Sequence, residues 1–157
     1  DLIENARELS LPSVFLFVVN NKKPISEGLN FKQLVIWLNT EEQLFEQGID
    51  AKGRYLEDIG GEYAESTVKK KRRDGLPVDR VTLFQTGDFY ESFEVTTEKD
   101  QFVISAFTLK GAGEGLQDLR TRWGKDIVGL NKESQKLLVS AIIPEIRQYI
   151  LNLLLRQ

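Results

Sequence analysis

Glu94-Val95-Thr96-Thr97-Glu98-Lys99-Asp100-Gln101-Phe102-Val103-Ile104-Ser105-Ala106-Phe107 is the stretch that decides the fold class. Its two ends, 94–97 and 102–107, are rich in β-branched and aromatic residues, which suit a pleated, half-buried surface. The middle, 98–101, is charged, so the whole predicts a β-hairpin over 93–108. Everything around it is patterned for helices. Downstream, Leu137, Leu138, Ile142, Ile143, Ile146, Tyr149, Ile150, Leu153 and Leu154 line one broad helical face, and Asn131 is placed to cap it. Pro144 inside that pattern removes a backbone hydrogen bond and crowds the preceding turn, so a kink is expected near 140–143. The apolar stripe runs on past the proline, so both halves are expected to pack on something.

Upstream, 29–47 reads as a helix. Asn30 caps it, Phe31, Leu34, Val35, Leu38 and Phe45 fall close to one stripe, and Trp37 lies off it. Gly48 sits where the chain must turn left-handed, and Asp50-Ala51-Lys52-Gly53 makes a turn. A polar helix over 62–73 closes on five basic residues, Lys69, Lys70, Lys71, Arg72 and Arg73. Residues 81–84 read as short and extended. Thr86-Gly87-Asp88 opens a short helix through Phe93, with Thr86 as its cap and Gly87 permitting close backbone approach. A glycine-rich loop spans 111–115, and a short helix to Trp123 ends at Gly124. At the other end, Leu2, Ile3, Ala6 and Leu9 have helical spacing, and Pro12 disfavours helix at Leu11. By length, the apolar run 14–19 reads as a buried strand, with a buried helix as its rival. The reading is α+β: long helices packed on a small antiparallel sheet containing a hairpin, with a kinked C-terminal helix. Residues 1–28 form an arm or segment, and 29–157 a single domain.

Composition bounds the function. The 157 residues suit one domain. There is no Cys and no His. Thiolate zinc sites, cysteine nucleophiles and imidazole bases are excluded, which leaves only carboxylate chemistry. The expectation is a chain without catalytic residues, metal or cofactor. Lack of cysteine leans to the cytoplasm. Lys and Arg total 21 against 24 Asp and Glu, a net charge of −3, whereas a dedicated nucleic-acid binder is usually basic. The run 14–19 is too short for a bilayer, and no membrane contact is expected.

The basic run 69–73 could face phosphates, but acidic neighbours dilute it and no aromatic interleaves it; a solvated helix end is the plainer reading. On that reading, alanine at Lys69, Lys70 and Lys71 leaves folding intact. The pairs Glu41-Glu42 and Glu57-Asp58 lack the oxygen spacing of a calcium loop. Gly60-Gly61 and the 111–115 loop lack the lysine and hydroxyl of a phosphate loop.

The order of the motifs carries a resemblance. A helix ends through Gly48, Asp50 and Gly53; Tyr63, Ser66-Thr67 and Lys70-Lys71 follow. Then come Leu83, Thr86-Gly87, Tyr90 and Ser92, a hairpin, and Trp123-Gly124 before a long helix. Over residues 40–157 this resembles the tailed-phage virion morphogenesis proteins of the Mu type, also called tail-completion or head–tail joining proteins. It is similar to the divergent form in phages of Bacteroides-like hosts. The family's tryptophan after the first turn is replaced here by Tyr55 as the nearest aromatic, and its histidine before the aromatic–Gly step is missing. The resemblance implies a non-enzymatic virion part, assembled in the host cytoplasm. It would be a homo-oligomeric ring at the neck or head-proximal tail end, contacting portal, connector or tail proteins. Val14, Phe15, Phe17, Tyr149 and Leu153 are the expected subunit contacts. A nucleic-acid-binding module using 69–73 is the alternative.

Overall fold

The structure, a computed structural model, describes residues 11–98, 100–111 and 117–155. The helical spacing at 1–10 and the glycine loop at 112–115 lie outside the described residues. The architecture is α+β. Helices α1 (Leu11–Asn20) and α2 (Phe31–Trp37) are followed by a π-helix, Leu38–Gln47. Short helices α3 (Leu56–Gly60), α4 (Glu65–Arg73) and α5 (Asp88–Glu91) lead to the hairpin β1 (Glu94–Glu98) and β2 (Gln101–Ser105). A second small ladder, β3 (Leu109–Lys110) with β4 (Gln117–Asp118), precedes α6 (Leu119–Trp123), a 3-10 turn at Lys125–Ile127, and α7 (Lys132–Leu154).

The hairpin forms as expected and in tight register, Val95 opposite Ile104 and Glu98 opposite Gln101. Val95 faces the core and Thr96 faces water, the alternation that a one-sided sheet requires. Asn30 caps α2 in a reciprocal capping box with Gln33. Gly48, at φ 65°, ends the π-helix in the left-handed conformation. Asn131 caps α7 by accepting from the Ser134 amide at 2.8 Å. Pro144 lies inside α7, and the long C-terminal helix is bent by 32°.

Five expectations are corrected. The run 14–19 is helix, not strand. Val14 and Val18 are buried four residues apart while Leu16 and Phe17 point outward, a helical period that a six-residue window hides. Leu11 is itself helical, because Pro12 sits in a first turn whose amides lack partners anyway. Residues 81–84 are not extended throughout: Leu83 has φ 58°. Thr86 does not cap α5; Gly87 holds the cap position at φ 98°, and the Thr86 hydroxyl donates to Asp88 at 2.7 Å. The helix expected through residue 47 is α only to Trp37. At the junction the Thr40 hydroxyl donates to the Ile36 carbonyl at 2.9 Å, a bond that competes with the α ladder.

Residues of α2 and the π-helix enter two hydrophobic cores. One gathers Leu44, Leu56, Leu83, Phe89, Trp123 and Ile127; the other gathers Val18, Val19, Phe31, Val35, Leu130 and Leu138. Ile36 and Ile104 pack against both.

Candidate functional site

The motif residues of the sequence fall into several separate backbone-holding groups. Asp50 is fully buried. Its Oδ1 accepts from the Lys52 and Arg54 amides at 2.8 and 2.9 Å, and its Oδ2 from the Arg54 guanidinium at 2.6 Å. Arg54 also reaches Asp126 at 3.0 Å, and Lys52 joins that carboxylate at 2.8 Å. These cations hold Asp126 below the ordinary carboxylate range. Gly53 closes the turn at φ 75°. The turn is thereby fixed to the segment that leads into α7.

Tyr63, Lys71 and Tyr90 do the same for 82–84. The Tyr63 hydroxyl accepts from the Thr82 and Leu83 amides, both at 3.0 Å, and the Tyr90 hydroxyl donates to the Thr82 carbonyl at 2.6 Å. Burial pushes the Tyr90 phenol far above its ordinary value. Lys71 is 1% exposed; its ammonium donates to the Phe84 carbonyl and to Thr82 Oγ1 and lies 4.7 Å from the Tyr63 ring centre. This corrects the reading of Lys71 as DNA-facing and as part of a solvated end. Lys69, Lys70, Arg72 and Arg73 are exposed, and Arg73 pairs with Asp74 at 3.3 Å.

Ser92 donates to the Phe89 carbonyl at 2.7 Å and accepts from the Phe107 amide at 2.9 Å, tying α5 to the end of the hairpin. Trp123 packs closely against Gly60, and Gly124 ends α6 at φ 78°. Arg122 stacks 4.6 Å from the Trp123 ring and donates to the Gly60 carbonyl at 2.6 Å. Thr67 is half-buried at the edge of a cleft of about 540 Å³ that Lys70, Lys110 and Arg122 also line. Burial lowers the basicity of Lys110, and the nearby charges of Lys71 and Lys70 lower it further.

Sequence reading missed the amide clamp on the π-helix. Asn39 and Gln43 are both fully buried. Asn39 donates to the Ile127 carbonyl at 3.3 Å and accepts from the Gly129 amide at 2.7 Å. Gln43 donates to the Gly129 carbonyl at 2.9 Å and accepts from the Asn131 amide at 2.8 Å. Every polar atom of both amides except one proton apiece is used. The signal was present: Val35, Asn39 and Gln43 recur every fourth residue on a buried face, where polar side chains need partners.

The expected contact residues are used largely within the chain itself. Val14 is buried and Phe15 half-buried in their own chain, which corrects the picture of 14–19 as an arm reaching a neighbour. Phe17 meets Tyr149 with ring centres 4.3 Å apart, and Leu153 is buried. Beside these residues is an apolar groove of about 850 Å³ between α1, β2 and the first half of α7. Beyond it α7 stays open: Ile143, Leu151 and Leu154 are exposed. No group of acidic residues able to hold a metal occurs among the described residues. The helical stretch Lys125–Leu154 is long and apolar enough to cross a membrane by length and composition alone. No protein-family model, curated protein or solved structure matches the chain.

Proposed function

We propose that this chain is a non-enzymatic structural subunit of a tailed-phage virion. It works as a homo-oligomeric ring at the neck or head-proximal tail end, assembled in the host cytoplasm beside portal, connector or tail proteins. The observation that carries the reading is α7: of its 23 residues only Ser134, Leu138 and Leu153 are buried, yet apolar residues occupy two of its faces. A helix apolar on two faces belongs between two partners. The motif residues support the same reading, because Asp50, Tyr63, Lys71 and Tyr90 spend their polar atoms on internal bonds, most of them to backbone.

Protein cover is favoured over lipid. A spanning orientation places Glu145 and Arg147 near the centre of the apolar stretch, where charge is costly. The first half of the helix is already committed to the core through Leu138. The test is imaging the necks of virions that carry the chain. A closed ring of identical subunits is expected; scattered single copies, or none, overturn the reading.

The nucleic-acid reading keeps one specific support. Lys69, Lys70 and Arg72 are exposed and make no ion pair among the described residues, and Lys70 lines one cleft with Lys110 and Arg122. DNA retention that falls steeply with salt and is lost on Lys69→Ala with Lys70→Ala would favour it.

A further inference from the structure

We propose, building on the ring reading, that the groove between α1, β2 and the first half of α7 receives the open stripe of α7 from a second copy of this chain. The two surfaces match in chemistry. The groove is concave and apolar, walled by Val18, Phe31, Phe102, Leu138, Val139 and Ile142. The stripe is an exposed ridge of one helix. From Ile143 onward, α7 carries two largely apolar lines with different fates. Ile146, Tyr149 and Leu153 face the chain's own body and are buried or half-buried. Ile143, Arg147, Leu151 and Leu154 follow at helical spacing on another face, and all are exposed.

Charge fixes the occupant as a second copy. Asp100 is the one carboxylate among the groove-lining residues, and it has no ion pair among the described residues. Arg147 is the one charge on the ridge, and it too has no ion pair among the described residues. Seating ridge in groove brings an unpaired acid to an unpaired base as apolar surface is covered. Because ridge and groove are different surfaces of one chain, a copy can offer its ridge to one neighbour and its groove to another, the heterologous contact from which rings close.

The absence of cysteine makes the contact directly testable. Val139 lines the groove at 51% exposure and Leu151 sits on the ridge at 46%, so cysteine at either leaves the core intact. They lie about 18 Å apart along the helix, too far for a disulfide within one chain. Val139→Cys and Leu151→Cys proteins are mixed and oxidised at high concentration, with Glu57→Cys as the exposed control. A mixed disulfide dimer should exceed either self-dimer and the control. The chain carrying both substitutions should give a ladder of multimers. Asp100→Lys or Arg147→Asp should each lower the mixed product about threefold, and the two together should restore it. Mixed product no greater than the control overturns the proposal. So does dominance of Leu151→Cys self-dimers, which would mean ridge packs on ridge. So does flotation of the protein with lipid vesicles, or mixed product that rises when residues 1–10 are removed and is absent before. Virion imaging decides the ring separately: a ring seen there without this crosslink would sink the contact and keep the ring.

Discussion

Lys71 shows how one residue can differ from its neighbours in an unbroken basic run. Replacing it by alanine leaves the Phe84 carbonyl and Thr82 hydroxyl without their buried donor, and should cost about 2 kcal/mol. Lys69→Ala and Lys70→Ala should stay within about 0.5 kcal/mol. Urea midpoints measured side by side check this; equal effects at all three positions would contradict the buried geometry. The clamp residues make a second case. Asn39→Ala strands the Ile127 carbonyl and Gly129 amide and should also cost about 2 kcal/mol. Combined with Gln43→Ala, the loss should fall short of the sum, because both hold Gly129. Asp126 sets an acid limb. Its ionised form is favoured when folded, so its contribution is full above the ordinary carboxylate value of about 3.9 and disappears as pH falls through the lowered one. The melting temperature should therefore fall below about pH 4, with a shallower fall in Asp126→Asn.

At the scale of elements, periodic segments were legible and aperiodic ones were not. The hairpin, the Asn30 and Asn131 caps and the stop at Gly48 each rest on a local signal that tertiary packing did not overrule. Residues 14–19 failed because six apolar positions in a row display no period; only the burial of Val14 and Val18, the latter packed in one core with α2 and α7, reveals one. The π-helix failed because its widening depends on the Thr40 hydroxyl and on carbonyls near residue 127, far along the chain. Helix α3 carried too few residues to show a pattern, yet its seating on α6 is tight. A Cβ at Gly60 would lie 2.5 Å from the Trp123 ring. Gly60→Ala should cost about 2 kcal/mol or more and shift tryptophan fluorescence; an unchanged spectrum and midpoint would show that α3 and α6 separate freely.

For the whole molecule, the polar network and the open apolar surface divide the chain's tasks. The motif residues stiffen the body, and α7 projects surface that the body does not use. Leu151→Lys with Leu154→Lys should leave the melting temperature nearly unchanged, since both residues are about half exposed, while reducing concentration-dependent light scattering. A large drop in melting temperature would mean that this surface serves the monomer's own fold. The clamp on the π-helix also sets a timescale. The amides of Gly129 and Asn131 lie outside regular structure, where exchange with solvent is ordinarily fast. Here each is bonded to a fully buried amide oxygen, so it can meet deuterium only when the helix at 38–47 opens. Those two protons should label among the slowest in the chain, together with the interior of α2, and the connection into the last helix would then open as one cooperative unit with the first core it touches.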